Sequence, residues 1–195
     1  MAVAVGIDGW ARLLIRPGPT AAWVPAPALI APVLVALLAA YFLLAFLPLV
    51  QSLRGLRWRR AYQAAIRREL ERIPGMVPNN SPERAAWIAL SLTAGICEEV
   101  LFRGFLIRFL HESALALPIA AALAASCLCF GLAHVYLGPK GALTAAIGGF
   151  GYGLLFLLSG NLLPCVVLHA LVDLQIIYVM RPIPGEAATA AIETA

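Results

Sequence analysis

Charge is what this chain has least of. Only 12% of its 195 residues are Asp, Glu, Lys or Arg, against about 25% in a soluble domain, and that scarcity excludes a solvated globule. Lysine is almost absent: Lys140 stands alone beside the arginines, a bias that points to a GC-rich bacterial genome. Cysteine is sparse, and Cys97, Cys127, Cys129 and Cys165 each lie inside an apolar stretch, which excludes a spaced disulfide framework. Cys127 and Cys129 would diverge by about 200° on a helix, so they do not read as a metal pair. The first 25 residues lack the basic start, short apolar run and cleavage site of a secretory signal, and they are expected to be retained.

What is present is hydrocarbon. With 62% apolar residues and a mean hydropathy of +0.89, the chain reads as an integral, multi-pass membrane protein forming one all-α bundle. About five transmembrane helices are expected. Residues 28–50 form an anchor that looks plainly lipid-facing; further spans run over 85–110, 115–137, 141–158 and 162–180. Residues 1–27 form an N-terminal extramembrane segment, and 181–195 a small, polar tail expected to be disordered.

The basic pI of about 9.1 does not indicate nucleic acid. Its arginines crowd into 51–84, at Arg54, Arg57, Arg59, Arg60, Arg67, Arg68 and Arg72, and such a loop faces the anionic cytoplasmic leaflet. The N terminus is then outside and the C terminus cytoplasmic, in a bacterial plasma membrane. Ile66, Leu70 and Ile73 recur at helical spacing within 61–73, predicting an interfacial amphipathic helix. Gly141, Ala145, Gly149 and Gly153 recur every four residues and form a smooth stripe for helix packing. A phosphate cradle would need a preceding strand and an internal lysine, and neither is there.

Against this background Glu98 and Glu99 stand out, adjacent in the apolar span 85–110. A charged side chain at mid-membrane costs roughly 2.5 to 3.5 kcal/mol on insertion scales, so a retained pair points to chemistry. Glu99 and Arg103 are four apart and therefore neighbours on a helix. Glu98 is turned about 100° away. Glu99 is the acid held ionised by the arginine, and Glu98, with no cation one turn on, is the candidate general base. His169 and Asp173 are also four apart, and Asp173 could fix the imidazole tautomer. His134 supplies a second intramembrane imidazole, and a bundle can converge all of these in one polar cavity.

Glu98-Glu99-x-x-x-Arg103, then Phe130-x-x-x-His134, then His169-x-x-x-Asp173, in that order on successive spans, closely resembles the CPBP intramembrane proteases. This family includes the CAAX prenyl endopeptidases and the bacteriocin-processing or bacteriocin-immunity proteins. The resemblance covers about 85–180. It implies that Glu98 and His134 activate the attacking water, that His169 and the residue at Asp173 stabilise the oxyanion, that Glu99 and Arg103 shape the site, and that Phe130 packs beside His134. Asp173 departs from the asparagine of the prenyl-endopeptidase branch. An ionised aspartate cannot donate to an oxyanion.

The family has been described both as metal-free glutamate proteases and as metal-dependent. On the first description no cofactor is required; on the second, His134, His169 and a carboxylate would hold zinc with an open position. The expected function is an intramembrane endopeptidase acting on a membrane-associated protein or peptide, with the lipid bilayer as its setting. A non-catalytic immunity or interaction protein of the same fold is the alternative; a proton-coupled transporter is disfavoured because no inverted repeat is evident. One tension is built in. Glu98 lies deep in its span while His134 falls near the cytoplasmic end of the next, so the second span must start early or tilt, or the third must run on past His134.

Overall fold

A computed structural model describes residues 30–70, 73, 77–113, 115–181 and 183. The N-terminal segment 1–27 and most of the tail 181–195 lie outside them. Helix α1 runs Ile30–Arg54, and Gly55 separates it from α2, Leu56–Leu70. Helix α3, Ser81–Glu99, begins four residues before the expected span because Asn80 caps it: its side-chain oxygen accepts from the Glu83 N–H at 2.9 Å, and Glu83 reaches back to Asn79 and Asn80. The helix continues as a π-helical stretch, Val100–Ile107, and ends as α4, Arg108–Glu112.

Helix α5, Ile119–Ala133, is followed by His134 and a single 3₁₀ turn, Val135–Leu137. Gly138 then takes a φ of 81°, a backbone conformation that suits glycine, and the chain reverses into α6, Gly138–Ser159. Gly160 closes α6 in the left-handed region at φ 62°. Helix α7, Leu163–Val179, completes an all-helical membrane bundle.

Five crossings were expected; among the described residues three helices are long and apolar enough to cross a membrane: Pro32–Arg54, the continuous run Ser81–Glu112, and Val135–Ser159. Helices α5 and α7, at 15 and 17 residues, rise only about 22 and 25 Å against a hydrocarbon core of about 30 Å. They are packed among the longer helices. Glu99, Arg103, Ser126 and His169 are buried, while Leu43, Leu44, Leu128 and Leu143 are exposed. Polar groups inside and large apolar ones outside is the arrangement of a protein solvated by lipid.

Glycines set how closely the helices pack. A Cβ on Gly95 of α3 would lie 3.1 Å from the Val166 carbonyl oxygen and 3.2 Å from Ala170 Cβ on α7, and one on Gly131 of α5 would lie 2.9 Å from the Ala142 carbonyl oxygen of α6. The expected stripe on α6 divides in two. Gly149 and Gly153 face Cys127 and Leu123 of α5, as a packing stripe should, but Gly141 and Ala145 line a cavity.

The segments flanking the spans add two findings. Ile66 of α2 turns inward with Pro48, Trp87 and Ile176, so this part of the apolar face packs on the bundle. Past α7, the Arg181 carbonyl accepts from Arg59 and Gln63, and Ile183 is buried, so the chain at those residues is held where a loose tail was expected. All four cysteines carry free thiols.

The α3–α7 contact gives a direct test. Gly95→Leu forces these helices apart and should cost about 1 to 3 kcal/mol, lowering the thermal midpoint in detergent, whereas Gly55→Leu, with nothing within 4 Å of its Cβ position, should leave it unchanged.

Candidate active site

Glu99 is the last residue of α3 before the π-helical stretch, and it is fully buried. Its Oε1 accepts from Arg103 Nη1 at 2.9 Å and from His169 Nδ1 at 2.7 Å. The pairing with Arg103 is the one expected from the spacing. The pairing with His169 is not: the imidazole is oriented by Glu99, and Asp173 stands on its other side, with Oδ2 3.8 Å from Nε2. Arg103, itself buried, donates to the Gly149 carbonyl at 3.3 Å. Its guanidinium carbon lies 4.3 Å from the Phe130 ring centroid.

His134 is fixed by its own helix. Its Nδ1 lies 2.8 Å from the Phe130 carbonyl oxygen, and a carbonyl can only accept, so Nδ1 carries the proton and Nε2 bears the lone pair. The ring packs on Phe130 at 4.5 Å between centroids. Glu98 Oε2 lies 3.9 Å from His134 Nε2 and 3.8 Å from His169 Nε2. That carboxylate oxygen is buried and has no hydrogen-bond partner. The structure thus brings Glu98, Glu99, Arg103, His134, His169 and Asp173 into one cluster.

The depth problem is resolved by the short α5. Glu98 lies fourteen residues back from Glu112, the end of α4, and His134 fifteen residues on from Ile119, the start of α5, so both sit roughly 21 to 23 Å along the bundle from the turn that joins them. The third span does not run on past His134. It stops there.

Tyr152 of α6 was not singled out from the sequence. Its ring stacks on His169 at 4.9 Å with an interplanar angle of 12°, and it forms part of the wall around Arg103. Helix α1 is more than an anchor, because Tyr41 and Phe42 pack edge-on against Tyr152. The available signal was a cluster of three aromatics, Tyr41, Phe42 and Phe46, in an otherwise aliphatic run. A cavity of about 530 Å³ opens beside the cluster, lined by Tyr41, His134, Lys140, Gly141, Thr144, Ala145, Gly148, Tyr152, His169 and Asp173 among others.

The family model described as type II CAAX prenyl endopeptidase Rce1-like matches residues 80–175. Over this segment, just under half of its length, the chain is similar to the CPBP/CAAX protease family. No curated protein and no solved structure matches it. The segment runs from the cap of α3 to the middle of α7 and holds all six clustered residues, leaving α1 and α2 outside.

Similarity to the CAAX family raises the question of metal. The chemistry of the donors would suit zinc, but Glu98 Oε2 stands 3.8 to 3.9 Å from each imidazole nitrogen, wider than the ligand spacing of about 3.3 Å that Zn–N bonds of about 2.05 Å impose in a tetrahedron. Among the described residues no three His, Cys, Asp or Glu side chains form a metal-holding group. The residues as placed do not fit a resident zinc.

The Glu99–Arg103 pair makes a testable claim on stability. Removing one partner leaves the other charge buried and unpaired, which costs about 3 to 5 kcal/mol, so Arg103→Ala and Glu99→Ala should each sharply lower the thermal midpoint. The double variant Glu99→Gln/Arg103→Met should recover a substantial part of that loss.

Proposed function

We propose that the protein is an intramembrane endopeptidase that hydrolyses a peptide bond of a membrane-associated protein or peptide with a water activated by Glu98. The supporting observation is the meeting of the His134 and His169 Nε2 atoms at Glu98 Oε2, a buried oxygen that has no hydrogen-bond partner, which leaves Glu98 Oε2 and His134 Nε2 as two proton acceptors facing one space. Water is the smallest group that brings two protons to such a place. In a low-dielectric site those acceptors would hold it in a fixed orientation.

The chemistry then follows from the residues. Glu98 takes one proton as the water oxygen adds to the scissile carbonyl, with His134 Nε2 accepting the second water hydrogen bond. The oxyanion forms beside His169 and Asp173. His169 donates from Nε2 when it carries both ring protons, with Nδ1–H held by Glu99. The tetrahedral intermediate collapses as Glu98 returns its proton to the departing nitrogen, giving one carboxyl and one amine terminus. Glu99 and Arg103 take no part in bond changes; they hold His169 and the π-helical stretch in place. The arginine-bearing face of α2 belongs to the cytoplasmic side on the same reading, with the N terminus outside.

Glu98→Gln keeps the shape and removes the base. Comparison of protein termini in membranes carrying either form should show a set that vanishes with the change, at a loss of about 10²- to 10⁴-fold in rate. Identical termini in cells where the protein is active would overturn the peptidase reading in favour of an immunity or interaction role. A chelator should leave the termini in place, and their loss would put a metal in the reaction.

Asp173→Asn supplies an amide donor where an ionised carboxylate has none. Turnover should therefore be retained or raised, while Asp173→Ala should lose activity. Inactivation by Asp173→Asn would instead show that a proton moves through the Asp173 carboxyl.

A further inference from the structure

Helix α1 lies outside the CAAX-family segment, yet it closes the catalytic cavity. Tyr41 is its only residue among those lining that cavity. The Tyr41 ring sits in a notch on α6 made by two glycines: a Cβ on Gly151 would lie 2.5 Å from Tyr41 Cδ1, and one on Gly148 would lie 3.1 Å from the hydroxyl oxygen. Tyr41 meets Tyr152 edge-on at 6.1 Å and 82°, and Tyr152 stacks on His169. One aromatic therefore links the outer wall to the catalytic imidazole.

Beyond Tyr41, α1 is held by the Phe42 ring on Tyr152 at 5.6 Å and by Gln51, whose side-chain oxygen accepts from the Tyr62 hydroxyl of α2 at 2.7 Å; the rest is lightly held. Ser52 is its one buried residue among those described, and Leu43, Leu44 and Leu47 face outward. Just beyond Tyr41, Gln175 Nε2 of α7 donates to the Ala45 carbonyl at 3.0 Å. Pro48, inside the helix, has no N–H to give to the Leu44 carbonyl, and such a break is where a helix bends. Two rings set against Tyr152, of which Tyr41 alone reaches the cavity, a pin and a weak point describe a wall that can swing.

We infer that α1 is a lateral gate to the cavity, with Tyr41 as its latch in the Gly148–Gly151 notch, and that the occupant admitted is an extended membrane-embedded peptide entering from the lipid. The identity of that occupant rests on the peptidase reading. The gate itself does not. Inside, the peptide would run along the smooth face of α6 at Gly141, Ala145 and Gly148, toward His134 and His169. Tyr41 is a positioning residue in this scheme, since it acts on entry and touches no reacting atom.

The test is chemical labelling, which needs no substrate. Ala145→Cys places a thiol in the cavity of a protein whose exposed Cys97 and Cys129 are replaced by serine. The probe is N-phenylmaleimide, added to vesicles of phosphatidylcholine and phosphatidylglycerol containing the full chain. If labelling follows the open fraction, Tyr41→Ala and Gly151→Ile should react about tenfold faster than the parent, and Tyr41→Phe, which keeps the ring, should match the parent. Buried Cys165 reports the fold. Should it become reactive in either variant, Gly151→Ala, which adds one methyl group to the notch, takes that variant's place. Equal rates at Ala145→Cys in parent and folded variants would overturn the gate. Silence of Glu98→Gln would remove the peptidase reading and leave the labelling result standing.

Discussion

A carboxylate with no access to water decides most of this structure. Glu99 is fully buried, and a buried charge is tolerated only when it is paired; its Oε2 has no hydrogen-bond partner among the described residues, so the whole pairing falls on one oxygen. Its Oε1 binds Arg103 from one side and His169 from the other, joining α3 and its π-helical continuation to α7. Arg103 carries the connection on to the Gly149 carbonyl of α6 and the Phe130 ring of α5. Four helices thus meet through one oxygen and one guanidinium. The geometry of the proposed site is a by-product of that junction, because fixing Nδ1 of His169 aims Nε2 at Glu98.

Around the junction the bundle works from both sides. Inside the CAAX-family segment, α5 ends at the depth of Glu98 and delivers His134 with its tautomer already set by the Phe130 carbonyl. Outside the segment, α2 grips the far end of α7: Arg59 donates to the carbonyls of Tyr178, Val179 and Arg181, and Gln63 to those of Val179 and Arg181. Tyr178 and Val179 are the last two residues of α7, where no residue four positions on continues the helical hydrogen bonding. Helix α2 is therefore a brace for the helix that carries His169 and Asp173.

Much of this was legible in the sequence, and the reasons differ by residue. The membrane class followed from composition, and the Glu99–Arg103 pair from helical spacing, because i to i+4 contacts are local. The grouping of Glu98, His134 and His169 came from the rarity of titratable residues in apolar spans together with the order of three motifs. What spacing could not supply was tertiary. That Glu99, rather than Asp173, holds His169 depends on how α3 crosses α7 at Gly95. That α5 stops short depends on the turn at Gly138. The π-helical stretch from Val100 to Ile107, where Ser126 Oγ donates to the Phe102 carbonyl, has no pattern of its own in the residues. Tyr152 and Tyr41 read as ordinary span aromatics until their neighbours are known.

The central claim is that a buried Glu99 fixes the protonation pattern of the site. Solid-state ¹⁵N NMR of the two imidazoles in lipid vesicles tests it most directly. The expected spectrum has a proton on Nδ1 of both His134 and His169, with the Nδ1 signal of His169 moving on Glu99→Gln and that of His134 staying in place. An unprotonated Nδ1 on either ring, or a His169 signal indifferent to Glu99, would contradict the arrangement from which the proposed chemistry is built.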